Sequence, residues 1–135
     1  MHYVALIDGK PGGYGVVVPD LPGCTAMGKT LDAARANAVE AVRHWIEVMR
    51  ASGREIPVAR TIEDLNVDPD FLEQKNESLL VTEIVAVERL GRSVKANLSL
   101  DSGILAAIDD TADRLGVTRS ALVERMATER LPAYS

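Results

Sequence analysis

Cys24 is the single cysteine in 135 residues, so no disulfide can close within the chain and no thiolate cluster can gather around a metal. A reducing compartment suits such a chain. The two histidines, His2 and His44, have neither a cysteine nor a further histidine at ligand spacing, which removes the common zinc patterns. No apolar run approaches the roughly 20 residues that cross a bilayer. The opening Met1-His2-Tyr3-Val4-Ala5-Leu6-Ile7-Asp8 also lacks a charged leader ahead of a long apolar block, so the expected location is the cytoplasm, with no membrane partner. Excess basic charge is missing too: the net charge is −5, the opposite of what phosphate contact rewards. Its distribution matters more. Residues 1–90 carry 9 basic and 14 acidic side chains and residues 91–135 carry 6 of each, so the negative excess belongs to the first part.

With 47% hydrophobic and 26% charged residues the chain has the means to fold, and its length admits one ordinary domain or two very small ones. Val4-Ala5-Leu6-Ile7, a turn cluster over 8–13, and Tyr14-Gly15-Val16-Val17-Val18 predict a hairpin. Pro19-Asp20-Leu21-Pro22-Gly23 interrupts the pairing, and Cys24-Thr25-Ala26-Met27 is a short third strand or edge. Leu31, Ala34, Ala38, Ala41, Val42, Trp45, Ile46 and Met49 recur at spacings of three and four, a helix capped at its end by Gly53. Residues 57–78 are polar and acidic and predict a long excursion with a short helical turn at Phe71-Leu72. The run 79–87 is the most β-prone of the chain and predicts a buried strand. The expectation for residues 1–90 is a small antiparallel sheet with one helix, in an α+β chain.

Residues 91–135 follow a different plan. From Ser93 to Leu100 polar and apolar residues alternate strictly, placing Val94, Ala96, Leu98 and Leu100 on one face of a strand and Ser93, Lys95, Asn97 and Ser99 on the other. Asp101 or Ser102 caps a helix ended by Gly116, and Thr118 caps a second helix with Ala121, Leu122, Met126 and Leu131 inward, stopped by Pro132. A lone strand and two helices bury too little and leave both strand edges unpaired. Pairing of two copies, strand against strand, solves both problems. The polar face of such a ribbon fits the DNA major groove, where lysine donates to guanine and an asparagine amide reads adenine.

Gly13-Tyr14-Gly15, Pro19-Asp20-Leu21-Pro22-Gly23-Cys24, Gly28-Lys29-Thr30-Leu31 and the alanine-rich helix after them resemble the N-terminal domain of HicB-type antitoxins. That resemblance implies a partial ribonuclease H-like fold at 1–90 and a HicA-like mRNA-cleaving toxin as partner. The toxin-contacting residues stay unknown within 1–90. An acidic surface suits such a partner, since a toxin that binds RNA is positive where phosphate lies. The segment Lys95-Ala96-Asn97-Leu98-Ser99-Leu100, followed by Leu115-Gly116-Val117 and Thr118-Arg119-Ser120-Ala121-Leu122-Val123, resembles a ribbon-helix-helix domain at 91–135. It implies base contacts from Lys95, Asn97 and Ser99 on operator double-stranded DNA and phosphate contacts from Thr118, Arg119 and Ser120. The free N–H groups of a helix start support the latter independently. Arg92 and Ser93, at the strand entrance, are further candidate phosphate contacts.

The resulting expectation is an antitoxin that binds its toxin and represses its own operon as a homodimer or an assembly of such dimers, without enzymatic activity, cofactor or metal. The alternative is a stand-alone ribbon-helix-helix repressor with an N-terminal assembly or ligand module. A metal-dependent nuclease would need more carboxylates than Asp8 and Asp20, which read better as turn residues. Cys24 has no base beside it in sequence.

Overall fold

The computed structural model describes residues 1–87 and 89–134, which divide into two compact units, Met1–Glu88 and Arg89–Ser135. The first unit is built on four strands, β1 (His2–Lys10), β2 (Gly13–Val17), β3 (Thr25–Gly28) and β4 (Leu80–Val85). They form one antiparallel sheet in the order β3-β2-β1-β4. The β1–β2 hairpin closes at the Lys10–Gly13 pair, with Pro11 and Gly12 (φ +94°) at the two turn positions. Pro presets the first and only glycine takes the second without strain.

A long helix, α1 (Leu31–Ala51), crosses one face of the sheet. Thr30 caps its start by accepting from the Ala33 N–H at 3.1 Å. Ala34, Ala38, Val42 and Ile46 are its buried residues and pack with Tyr3, Ala5, Ile7, Val16 and Ile84. The buried stripe is narrower than its periodicity predicts: Ala41, Trp45 and Met49 are half-buried, and Leu31 is exposed. The alanines let helix and sheet approach closely. A Cβ on Gly28 would lie 2.3 Å from the Ala34 backbone nitrogen.

The excursion at 57–78 holds two helices, α2 (Ile62–Leu65) and α3 (Pro69–Glu77), where the sequence predicts one short turn. Thr61 and Asp64 form a reciprocal capping box, and Asp68 caps α3 ahead of Pro69. Each device satisfies orphan N–H groups, which is how such polar segments hold helical form. Leu65 and Phe71 insert beneath Val4 and Leu6 on the sheet face opposite α1. The expectation of one helix on one face is therefore corrected. Tyr3 through Ile7 are all buried because β1 is covered on both sides, and an unbroken apolar run replaces alternation there. The expectation of a buried strand at 79–87 is corrected too: β4 lies at the sheet edge, where Ile84 is buried while Val81 and Leu79 are exposed.

In the second unit residues 92–100 are exposed and, where the alternation predicts a strand, form none in the single chain, which supplies no neighbouring strand to pair with; that expectation is corrected for the lone chain. Helix α4 (Ser102–Leu115) starts at Asp101, whose carboxylate accepts from the Gly103 and Ile104 N–H groups, and ends at Gly116 (φ +68°). Helix α5 (Arg119–Arg130) starts at Thr118 and continues into a 3-10 turn, Leu131–Tyr134. Only Ala112 and Leu122 are fully buried among the described residues of this unit. Ala121, Met126 and Leu131, expected inward, are exposed in the single chain.

Candidate functional site

The exposed segment 92–100 ahead of α4 alternates polar and apolar residues from Ser93 to Leu100. Val94 is 84% exposed, Leu98 70% and Leu100 45%, so the apolar face that alternation defines meets solvent in the single chain. Lys95, Asn97 and Ser99 occupy the intervening positions, all exposed. None of the three makes a side-chain hydrogen bond or ion pair among the described residues. Continuing along the chain, Ile104 and Leu115 of α4 are 57% and 52% exposed. A unit that leaves this much aliphatic surface open gains roughly 1–2 kcal/mol for each such half- to mostly exposed side chain it later covers.

The start of α5 holds Thr118, Arg119 and Ser120, for which the resemblance implies phosphate contacts. Thr118 Oγ1 accepts from the Ala121 N–H at 3.1 Å and the Thr118 carbonyl takes the Leu122 N–H. The N–H groups of Arg119 and Ser120 precede the first intrahelical bond and keep no helix acceptor. The Arg119 side chain turns away from that role: Nε and Nη2 donate to Asp109 Oδ1 and Oδ2 at 2.7 and 2.8 Å. This bond holds the Asp109 carboxyl below the usual carboxylate range. Other cations of the unit are paired as well, Arg89 with Glu124 and Arg125 with Glu129. Arg92 and Ser93 are exposed at the start of the 92–100 segment.

In the first unit the motif Pro19-Asp20-Leu21-Pro22-Gly23-Cys24 turns out to be a structural knot. Leu21 is completely buried, and backbone bonds from Leu21 to Val18 and from Cys24 to Leu21 close the loop. The Trp45 indole donates to the Pro22 carbonyl at 3.0 Å. Asp20, read from sequence as a turn residue, uses both carboxylate oxygens on Arg60, accepting from its backbone N–H and its Nε at 2.7 Å each. Arg60 reaches on to Asp68 at 2.9 Å, and so ties the Pro19–Gly23 turn to the start of α3. Asp20 and Asp68 are thus committed to an arginine. Among the described residues no group of three or more His, Cys, Asp or Glu gathers as a metal site.

Cys24 is buried, and burial raises its thiol pKa, the reverse of what a nucleophile needs. It lines an open groove of about 300 Å³ with His44, Trp45 and Met49. The opposite side of the sheet carries the acid. Glu63, Asp70, Glu73 and Glu77 are exposed on α2 and α3, while Lys75, the cation between them, is bonded to Asn66. No helix among the described residues is long and apolar enough to cross a membrane.

The architecture is a mixed α+β one: a four-stranded antiparallel sheet unit with a tightly bonded turn and an acidic helical face, followed by an exposed segment and two capped helices. Residues 3–127 match the family of HicB-like antitoxins of bacterial toxin-antitoxin systems, and the chain belongs to that family. It is 32% identical over 133 residues to a 14.9 kDa protein of the rep-hol intergenic region of Haemophilus phage HP1, covering 97% of this chain and 98% of that one. Its fold is similar to the crystal structure of the Burkholderia pseudomallei antitoxin HicB, with a TM-score of 0.52 and 25% identity over 97% of this chain and 96% of that one. A chain of the HicA3 and HicB3 toxin-antitoxin complex shares the fold at a TM-score of 0.53 and 24% identity, over 65% of this chain and 100% of its own.

Proposed function

We propose that this antitoxin neutralises a HicA-like RNA-cleaving toxin through its first unit and represses its own operon through its second. The observation that carries the DNA half is the exposed 92–100 segment, whose apolar face is open and whose Lys95, Asn97 and Ser99 are unengaged. Two copies pairing antiparallel along it cover Val94, Leu98 and Leu100 against the helices and turn the polar trio outward. A two-stranded ribbon fits the major groove, and these side chains suit base edges. Thr118, Arg119 and Ser120, with Arg92 and Ser93, then stand at the flanking phosphates.

Membership of the antitoxin family supports the toxin half, as does the fold shared with a chain of a HicA3 and HicB3 complex. The acidic helices α2 and α3 supply the complementary charge for a protein that binds RNA phosphate. The test has two arms. Lys95→Ala and Asn97→Ala each weaken binding to duplex DNA from upstream of the gene by about 1–3 kcal/mol in gel-shift titration, without loss of toxin capture. A fragment of residues 1–90 still neutralises the toxin on co-expression. Unchanged DNA affinity sinks the assigned face, and continued toxicity with a soluble fragment means the second unit shares the toxin interface.

A further inference from the structure

A guanidinium grips a carboxylate and a phosphate in the same way, with two parallel N–H groups on one planar edge. In Arg119 that edge, Nε and Nη2, is filled by Asp109, ten residues back on α4. The pair is open to solvent, with side-chain exposures of 58% and 40%, so an incoming phosphate can reach it. An exposed pair of this kind is worth little to folding and exchanges partners at small cost. Its position gives it another consequence. Arg119 opens α5, beside N–H groups that favour an anion, yet its charge is cancelled and its bidentate edge is taken by both Asp109 oxygens.

We propose that Asp109 attenuates DNA binding: phosphate must displace its carboxylate from Arg119, and this competition keeps the affinity of a single dimer low. The inference rests on the DNA-binding reading above. A weak dimer occupies its operator only when several dimers or a bound partner add their contacts, so repression responds to antitoxin level instead of saturating at low concentration.

The test uses the full-length protein and a fluorescent duplex spanning the DNA upstream of its gene, with binding followed by anisotropy across a salt series. Asp109→Asn removes the charge and keeps the shape. It is expected to tighten binding roughly 2- to 30-fold near 0.1 M salt, from two released pairs per dimer. The slope of log affinity against log salt stays within about 0.9 of the parent's, because the same phosphates are contacted in both complexes once the carboxylate is displaced. Asp109→Ala gives the same direction, and melting curves establish that both variants fold. In an Arg119→Gln background the gain disappears. Binding by folded Asp109→Asn that is unchanged or weaker, or an equal gain without Arg119, overturns the inference. Lys95→Ala run in parallel separates the two levels: if it binds like the parent protein, the DNA-binding reading itself fails.

Discussion

Leu98 is 70% exposed in the single chain, and chain pairing gives it somewhere to go. Fully burying a leucine is worth about 1.5–3 kcal/mol, so the share still open represents roughly 1–2 kcal/mol per copy. Alanine forfeits most of it in both copies and leaves a cavity besides, for a total of about 2–4 kcal/mol. At about 1.4 kcal/mol per tenfold, Leu98→Ala raises the dimer dissociation constant roughly 30- to 1000-fold. Sedimentation equilibrium over a wide concentration range reads this directly, and the thermal midpoint of the second unit becomes more concentration-dependent in step. Val67→Ala is the control, since Val67 is 82% exposed in the first unit and has no part in the pairing. If Leu98 merely faces water, both variants stay within about 0.5 kcal/mol of the parent. Identical sedimentation of parent and Leu98→Ala would refute the ribbon.

Two predictions concern the first unit. Gly28→Ala places a Cβ 2.3 Å from the Ala34 nitrogen and 2.7 Å from its Cα, so α1 must lift from β3. Overpacking against backbone costs at least about 1–3 kcal/mol, and a unit of this size loses roughly 4–8 °C of Tm per kcal/mol; an unchanged calorimetric midpoint contradicts the close approach. The Asp68 carboxyl is held below its ordinary 3.8 chiefly by Arg60 and next by the Asp70 N–H. A lowered folded-state pKa gives stability that is complete above 3.8 and is lost as pH falls through the lower value. The midpoint of the first unit accordingly drops more steeply below about pH 4 in the parent than in Arg60→Gln, and parallel curves would rule out the clamp.

Wherever structure followed local pattern, it was legible in the residues. The three-and-four spacing marked α1, the Pro11-Gly12 turn marked the first hairpin, and Asp101, Gly116 and Thr118 marked the ends of α4 and α5. Helices α2 and α3 were harder. They rest on two anchors, Leu65 and Phe71, too few to show a period, although Thr61 with Asp64 and Asp68 with Pro69 spell out their caps. The acidic excess of residues 1–90 was countable, but its placement on the exposed side of these helices depended on their existence.

The sequence by itself determined α1, the first hairpin, the caps of α4 and α5, the alternation of residues 93–100 and the sign of charge in each part, because these depend on neighbours a few positions away. Only the tertiary structure decided that β1 is covered on both faces, that Asp20 belongs to Arg60 and that Asp109 holds Arg119. Side-chain partners ten or forty residues distant are chosen by how helices and turns pack, and no periodicity along a chain encodes which charge will meet which.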